Sequence, residues 1–191
     1  MDKLLDVKID NLTQTEIRQK VASFLMEEKF HQIATINPEF ILAAQKNSEF
    51  KNILNSCDLN IADGFGIKLA FWRYGKKLKY RLAGIDLMLE ILQIANTKKL
   101  SVFLAANKNS LSSWEETRDA ILKIYPDLQI NGKNIVNREP TTIDCELVFC
   151  NFGAPYQETF LNSQKNGKIR LAMGVGGSFD YLTGKTPRAP Q

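Results

Sequence analysis

Short runs of uniformly apolar residues alternate along this chain with longer segments of helical periodicity. The apolar runs predict strands at residues 5–9, 32–36, 59–62, 101–105, 128–130, 146–151 and 169–175. The helical segments are 13–29, one that starts at Pro38 after Asn37, 65–75, 85–95, 111–125 and 156–166. Strands that are apolar throughout, rather than at every second residue, are typical of a parallel sheet buried on both faces. The predicted fold class is therefore α/β, a Rossmann-like and mostly parallel sheet with helices on both faces.

Length and composition indicate one globular domain over residues 1–191. Apolar residues make up 44% and charged residues 24% of the chain, the balance of an ordinary folded domain. The longest apolar runs, 100–106 and 147–150, are too short to span a bilayer, and the first residues lack the pattern of a signal peptide. A cytoplasmic protein is expected.

The cysteines and the histidine narrow the possible chemistry. Cys57, Cys145 and Cys150 are odd in number and each lies in an apolar segment, so reduced core thiols are expected rather than disulfides or zinc ligands. His31 is the only histidine, which argues against a histidine-based triad or metal site. We expect it to be a surface residue at the start of the second strand.

A lone carboxylate follows one of the apolar strands. Asp63 lies in the segment 61–66, after the strand and just before Gly64 and Gly66 open a helix. Ligands of open α/β sheets bind at such strand ends, and the glycines would let a ligand approach the backbone. Asp63 is thus either a catalytic group or merely the N-cap of the following helix.

A second polar strand end is Thr35-Ile36-Asn37-Pro38-Glu39. The hydroxyl, amide and carboxylate of Thr35, Asn37 and Glu39 together match the donors and acceptors of a sugar. Equally, Asn37 and Pro38 serve only to begin a helix.

Two later strands are followed by residues typical of turns, a glycine and proline break in one case and a glycine-rich segment in the other. The candidates there are Gln157, Glu158, Gly174, Gly176 and Gly177. The glycine-rich turn could offer backbone N–H groups to a diphosphate, although it does not complete the dinucleotide-binding fingerprint.

Five sequence blocks, taken in order and spacing, resemble those of the WecG/TagA/CpsF glycosyltransferases. They are residues 61–66, 81–84, 153–158, 174–180 and 188–190. The resemblance covers nearly the whole chain. It implies an enzyme that transfers N-acetylmannosamine or a related sugar, such as N-acetylmannosaminuronic acid, from its UDP donor to N-acetylglucosamine carried on undecaprenyl diphosphate. One branch of the family does so to build the linkage unit of wall teichoic acid.

The residue types and the resemblance together suggest residue roles. In a single inverting displacement, Asp63 would be the base and Thr35 would position the sugar or the attacking hydroxyl. The residues expected to bind substrate are Asn37, Glu39, Gly64, Gly66, Arg81, Gln157, Glu158, Gly174, Gly176, Gly177, Ser178 and Asp180. Two of these have structural alternatives, Gln157 as a solvent-facing helix residue and Asp180 as a helix cap. Because the chain lacks an Asp-x-Asp motif, no metal and no other cofactor is expected.

The chain departs from the family pattern at two places. Tyr156 stands where members commonly have lysine, so a cationic role at that position is in doubt. Members also usually continue past the Arg-Ala-Pro block into a segment rich in tryptophan and arginine, whereas this sequence stops at Gln191. The expectation is a truncated core that binds UDP but transfers slowly.

A basic segment lies between the second and third blocks. Arg73, Lys76, Lys77, Lys79 and Arg81 are interspersed with aromatic residues in 72–81. This pattern suits a lipid diphosphate or an anionic membrane, although a plain solvated face is the alternative. A net charge of +4 is too small to indicate nucleic acid. The expected partners are a UDP-sugar, a polyprenyl-linked acceptor, the inner face of the cell membrane and possible further copies of the chain. A nucleotide-binding module without catalysis remains a rival interpretation.

Overall fold

The structure, a computed structural model, describes residues 2–136, 139–165 and 167–188. The strands in those ranges are β1 (Asp2–Leu4), β2 (Val7–Ile9), β3 (His31–Ile36), β4 (Leu59–Ala62), β5 (Val102–Asn107), β6 (Ile130–Ile135), β7 (Leu147–Cys150) and β8 (Leu171–Gly174). The helices are α1 (Gln14–Met26), α2 (Pro38–Lys46), α3 (Ser48–Ser56), α4 (Phe65–Arg73), α5 (Gly84–Lys98), α6 (Trp114–Leu122), α7 (Tyr156–Ser163) and α8 (Ser178–Leu182).

Strands β3 to β8 form one sheet in which every pair of neighbours is parallel. The order across the sheet is β4-β3-β8-β7-β5-β6. Among the described residues the last strand is β8, which lies inside the sheet between β3 and β7. This arrangement confirms the predicted Rossmann-like α/β class.

Both faces of the sheet are covered, which explains why its strands are apolar throughout. On one face, Ile33 and Leu104 belong to a core that includes residues of α1, α5 and α6. On the other face, Ala34 and Ile36 pack with α2, α3 and α4, while Val148 packs with α7. Successive residues of a strand point to opposite faces, so neither face can be polar.

The prediction of a single strand at 5–9 is wrong. The chain instead forms a hairpin, β1 against antiparallel β2, separate from the main sheet. Leu5 and Asp6 make its turn with φ of 48° and 65°. The hairpin is tied to β4 through Asn60, whose Nδ2 donates to the carbonyl of Lys8 (3.0 Å).

The helix predicted after Asn37 is broken in two. Asn47 ends α2 and begins α3, because its Oδ1 accepts the backbone N–H of Phe50 (3.0 Å) as an N-cap. Strand β6 begins at Ile130, so the predicted strand at 128–130 overlaps it by only one residue. Helix α7 ends at Ser163, and its predicted end at residue 166 lies outside the described residues.

His31 is not a surface residue. Only 3% of it is exposed, its ring stacks on Phe24 with centroids 4.1 Å apart, and its Nε2 lies 3.0 Å from Glu27 Oε2. It begins β3, at the sheet edge opposite the polar strand ends. The cysteines are as predicted, buried and free.

Across the described ranges, no helix is both long enough and apolar enough to cross a membrane.

Candidate active site

A cavity of about 640 Å³ opens at the carboxyl ends of β3, β4, β7 and β8. That volume is in the range of small-molecule sites, and the location is where open α/β sheets bind ligands. The cavity is lined by ten of the site residues that were predicted from the sequence: Thr35, Asn37, Glu39, Asp63, Gly64, Arg81, Gln157, Gly176, Gly177 and Ser178.

The other four predicted residues do not line the cavity. Gly66 packs α4 against α2, since a Cβ there would lie 2.5 Å from Pro38 Cγ. Gly174 lies under the side chains of Gln157 and Glu158, and Glu158 itself is completely buried. Asp180 is not the cap of α8, because the N-cap is Gly177 and Asp180 lies within the helix.

Asp63 connects two elements at the base of the cavity. Its backbone N–H donates to the carbonyl of Ile36 (2.8 Å), and its Oδ2 accepts the N–H of Gly84 at the start of α5 (3.2 Å). The simple N-cap interpretation is therefore wrong, because the N-cap of α4 is Gly64 and no side chain caps the helix. Gly64 has φ of +81°, a conformation that glycine adopts without strain.

Thr35 and Asp63 both lie beside Gly84. A Cβ at Gly84 would lie 3.5 Å from Thr35 Oγ1 and 3.6 Å from Asp63 Oδ2. The hydroxyl and the carboxylate thus border the same small space, where one could hold a substrate oxygen and the other accept its proton.

The surroundings of Asp63 favour proton transfer. Burial raises the pKa of its carboxyl above the ordinary value. The N–H groups of Gly84 and Gly64 and the charge of Arg81 act against this rise without cancelling it, and Asp86 adds to it. A carboxylate with a raised pKa is a stronger base than one in open water.

Asn37 fits both interpretations of its position. Its Oδ1 caps α2 by accepting the N–H of Phe40 (3.0 Å), as the helix-start interpretation predicts. The residue also lines the cavity. Its amide N–H groups can donate to a ligand there.

Gln157 joins the loops that follow β7 and β8. Only 2% of it is exposed, so the solvent-facing alternative is wrong. Its Oε1 accepts the N–H groups of Gly153 and Gly176, each at 3.1 Å, and its Nε2 donates to Glu158 Oε1 (2.8 Å). Since the N–H of Gly176 is already bonded within the protein, it is not available to cradle a diphosphate.

An ion pair that was not predicted from the sequence lies in the cavity. Arg188 Nη2 donates to Asp86 Oδ2 at 2.5 Å, and both residues line the cavity together with Tyr80 and Tyr181. The sequence did hold a signal for this pair, because Arg188 begins the fifth sequence block and Asp86 follows the second block. The rest of the fifth block, residues 189–190, lies outside the described residues.

In the described part of the chain, no three His, Cys, Asp or Glu side chains are grouped so as to hold a metal ion.

Comparison with known proteins decides the family. The profile of the "Glycosyl transferase WecG/TagA/CpsF family" matches residues 2–191. The chain belongs to the WecG/TagA/CpsF family of glycosyltransferases.

Curated relatives carry a common name, N-acetylglucosaminyldiphosphoundecaprenol N-acetyl-beta-D-mannosaminyltransferase. The protein of Bacillus subtilis strain 168 is 29% identical over 191 residues, which are 95% of this chain and 71% of the relative. That of Staphylococcus aureus strain MRSA252 is 28% identical over 98% of this chain and 77% of the relative. The protein of Bacillus spizizenii strain W23 is 28% identical over 95% of this chain and 74% of the relative.

Because Gln157 holds the two loops together, removing its side chain should lower the stability of the protein. Gln157→Leu leaves two backbone N–H groups without their acceptor, so the free energy of unfolding should fall by about 2 kcal/mol. Urea denaturation measures this. The matched control is Gln19→Leu, at an exposed position of α1, which should change stability little. If the two variants proved equally stable, Gln157 would not brace the loops.

Proposed function

We propose that this glycosyltransferase moves N-acetylmannosamine from UDP-N-acetylmannosamine to N-acetylglucosamine on undecaprenyl diphosphate, in the synthesis of the wall teichoic acid linkage unit. The single observation that carries the proposal is the placement of Thr35 and of Asp63, with its raised pKa, beside Gly84 in the cavity. The shared name of the curated relatives supports the choice of donor and acceptor.

The proposed reaction is one inverting displacement. The acceptor hydroxyl gives its proton to Asp63 while its oxygen bonds to the anomeric carbon of the donor sugar. The bond from that carbon to the diphosphate oxygen breaks, and UDP leaves with the electron pair. A single carboxylate is sufficient, because the acceptor attacks directly from the opposite face and no enzyme-bound sugar intermediate forms.

Arg81 is the group that we assign to the leaving diphosphate. It lines the cavity, and a guanidinium offers several donors in a geometry that matches phosphate oxygens. Stabilising the charge that builds on UDP lowers the barrier of the displacement. We further propose that the chain acts as one catalytic core at the inner face of the cytoplasmic membrane, where its lipid-linked acceptor would lie.

Release of UDP tests the proposal directly. The chain is incubated with UDP-N-acetylmannosamine and a soluble analogue of the lipid acceptor, and UDP is measured with and without the acceptor. Acceptor-dependent release supports the proposal. Binding of UDP without any turnover would favour a nucleotide-binding module, and turnover only with another UDP-sugar would correct the donor.

The assignment of Arg81 predicts that transfer does not depend on a divalent cation. Since the guanidinium would supply the positive charge at the diphosphate, turnover should be unchanged in EDTA. The measurement is UDP release before and after chelation. Activity that disappears in EDTA and returns with magnesium or manganese would contradict the mechanism.

A further inference from the structure

Helix α4 presents a stripe of large apolar side chains on its outer surface. Phe65, Leu69 and Trp72 are 66%, 50% and 74% exposed, and their spacing of four and three residues places them on one face of the helix. The opposite face, with Ile67 and Phe71, is buried in the core. Single exposed apolar residues are ordinary, but three in register on one helix indicate an interaction surface.

The charged residues in the segment that carries this stripe are all of one sign. Residues 64–85 contain no acidic residue and six basic ones, all of them exposed: Lys68, Arg73, Lys76, Lys77, Lys79 and Arg81. Two of them contact acidic residues elsewhere in the chain, Lys76 with Asp2 (2.8 Å) and Lys79 with Glu16 (3.7 Å). The excess of positive charge around the stripe therefore favours an anionic partner.

The segment also begins and ends at the cavity. Gly64, at the start of α4, and Arg81, at the end of the basic stretch, both line it. A surface that docks on α4 would consequently lie beside the entrance to the candidate active site.

We propose that the outer face of α4 docks on an anionic lipid bilayer. Phe65, Leu69 and Trp72 enter the boundary between headgroups and acyl chains, and Lys68 and Arg73 contact the anionic headgroups. An amphipathic surface of this composition binds membranes through apolar burial together with electrostatic attraction. A second copy of the chain is a poorer occupant, because a symmetric contact would bring the two sets of basic residues together.

Co-sedimentation with lipid vesicles tests the surface without requiring any turnover, so its outcome is independent of the proposed reaction. The 191-residue chain should bind phosphatidylglycerol-containing vesicles and bind pure phosphatidylcholine much more weakly. Leu69→Glu and Trp72→Glu should each lower the partition coefficient roughly tenfold or more, the scale of losing one buried large apolar side chain. Ile124→Glu is the matched control, since Ile124 is 54% exposed in the turn after α6 and its substitution should leave binding unchanged.

The basic residues are tested separately. Lys68→Ala combined with Arg73→Ala should lower binding to the anionic vesicles by about 20-fold or more, because each charge near such a surface contributes severalfold. Raising the salt concentration should weaken the wild type more than this double variant.

Tryptophan fluorescence locates the contact. Trp72 is strongly exposed, so its emission should shift to the blue and be quenched by brominated acyl chains when anionic vesicles are added. Trp72→Phe keeps an apolar side chain and should bind vesicles while losing most of the quenching. The proposal is overturned by an absence of vesicle binding, by binding that Leu69→Glu and Trp72→Glu leave intact, or by a change of these variants in oligomeric state alone.

Discussion

Replacing Asp63 by asparagine should lower turnover by roughly two to four orders of magnitude, the usual contribution of a general base. Asparagine keeps an oxygen that can accept the N–H of Gly84, so the start of α5 stays in place. It cannot take the proton of the acceptor hydroxyl. Burial raises the pKa of Asp63, so the neutral amide should leave the melting temperature unchanged or higher. The measurement is UDP release, with UDP affinity determined in parallel.

Glu39→Gln is the matched control for this variant. Glu39 is a second carboxylate lining the same cavity, but it lies on the exposed first turn of α2. Its substitution should affect substrate affinity more than turnover. A folded Asp63→Asn variant that transferred sugar at nearly the wild-type rate would exclude Asp63 as the base and make Glu39 the next candidate.

Glu158→Gln should stabilise the protein at alkaline pH. Burial raises the pKa of the Glu158 carboxyl to about 8. The folded chain therefore keeps a proton that the unfolded chain releases above its ordinary pKa of about 4.5, and the stability of the wild type falls as the pH rises through this window. Glutamine resembles the protonated acid and does not titrate. From pH 5 to pH 8, its advantage in the free energy of unfolding should grow by several kcal/mol.

Urea denaturation at the two pH values measures this difference. The control is Glu49→Gln, at an exposed position in the first turn of α3, which should show almost no change with pH relative to the wild type. A Glu158→Gln variant whose stability followed the wild type at both pH values would mean that the buried carboxyl does not hold its proton.

Most of the sheet could be predicted because its signal is local. Five of its six strands are buried along nearly their whole length and are rich in apolar residues, as expected for the interior of a parallel sheet. The hairpin at the amino terminus escaped prediction because its turn places Leu5, a residue type that rarely adopts positive φ, in that conformation. The break between α2 and α3 depends on one Asn47 side chain acting as a cap.

The candidate site could be predicted only as far as the strand ends. Thr35 lies near the carboxyl end of β3 and Asp63 directly follows β4, so both were expected at the same edge of the sheet, where the two strands proved to be neighbours. The contact of Asp63 with Gly84 depends on how α5 docks, which is a tertiary event. The inward direction of Gln157 and Glu158 likewise depends on the packing of α7 over Gly174, where no side chain intervenes.

The place of β8 in the sheet sets the order in which the site can be built during synthesis. Its neighbours β3 and β7 cannot be joined across the sheet until Leu171–Gly174 has left the ribosome, although β3 is made some 140 residues earlier. Until then, each of the two strands has an open edge facing the vacant position, the kind of edge that can pair with other chains. The cavity is therefore completed only once β8 and the turn after it have been made, when Gly176 reaches Gln157 and the two halves of the sheet close around β8.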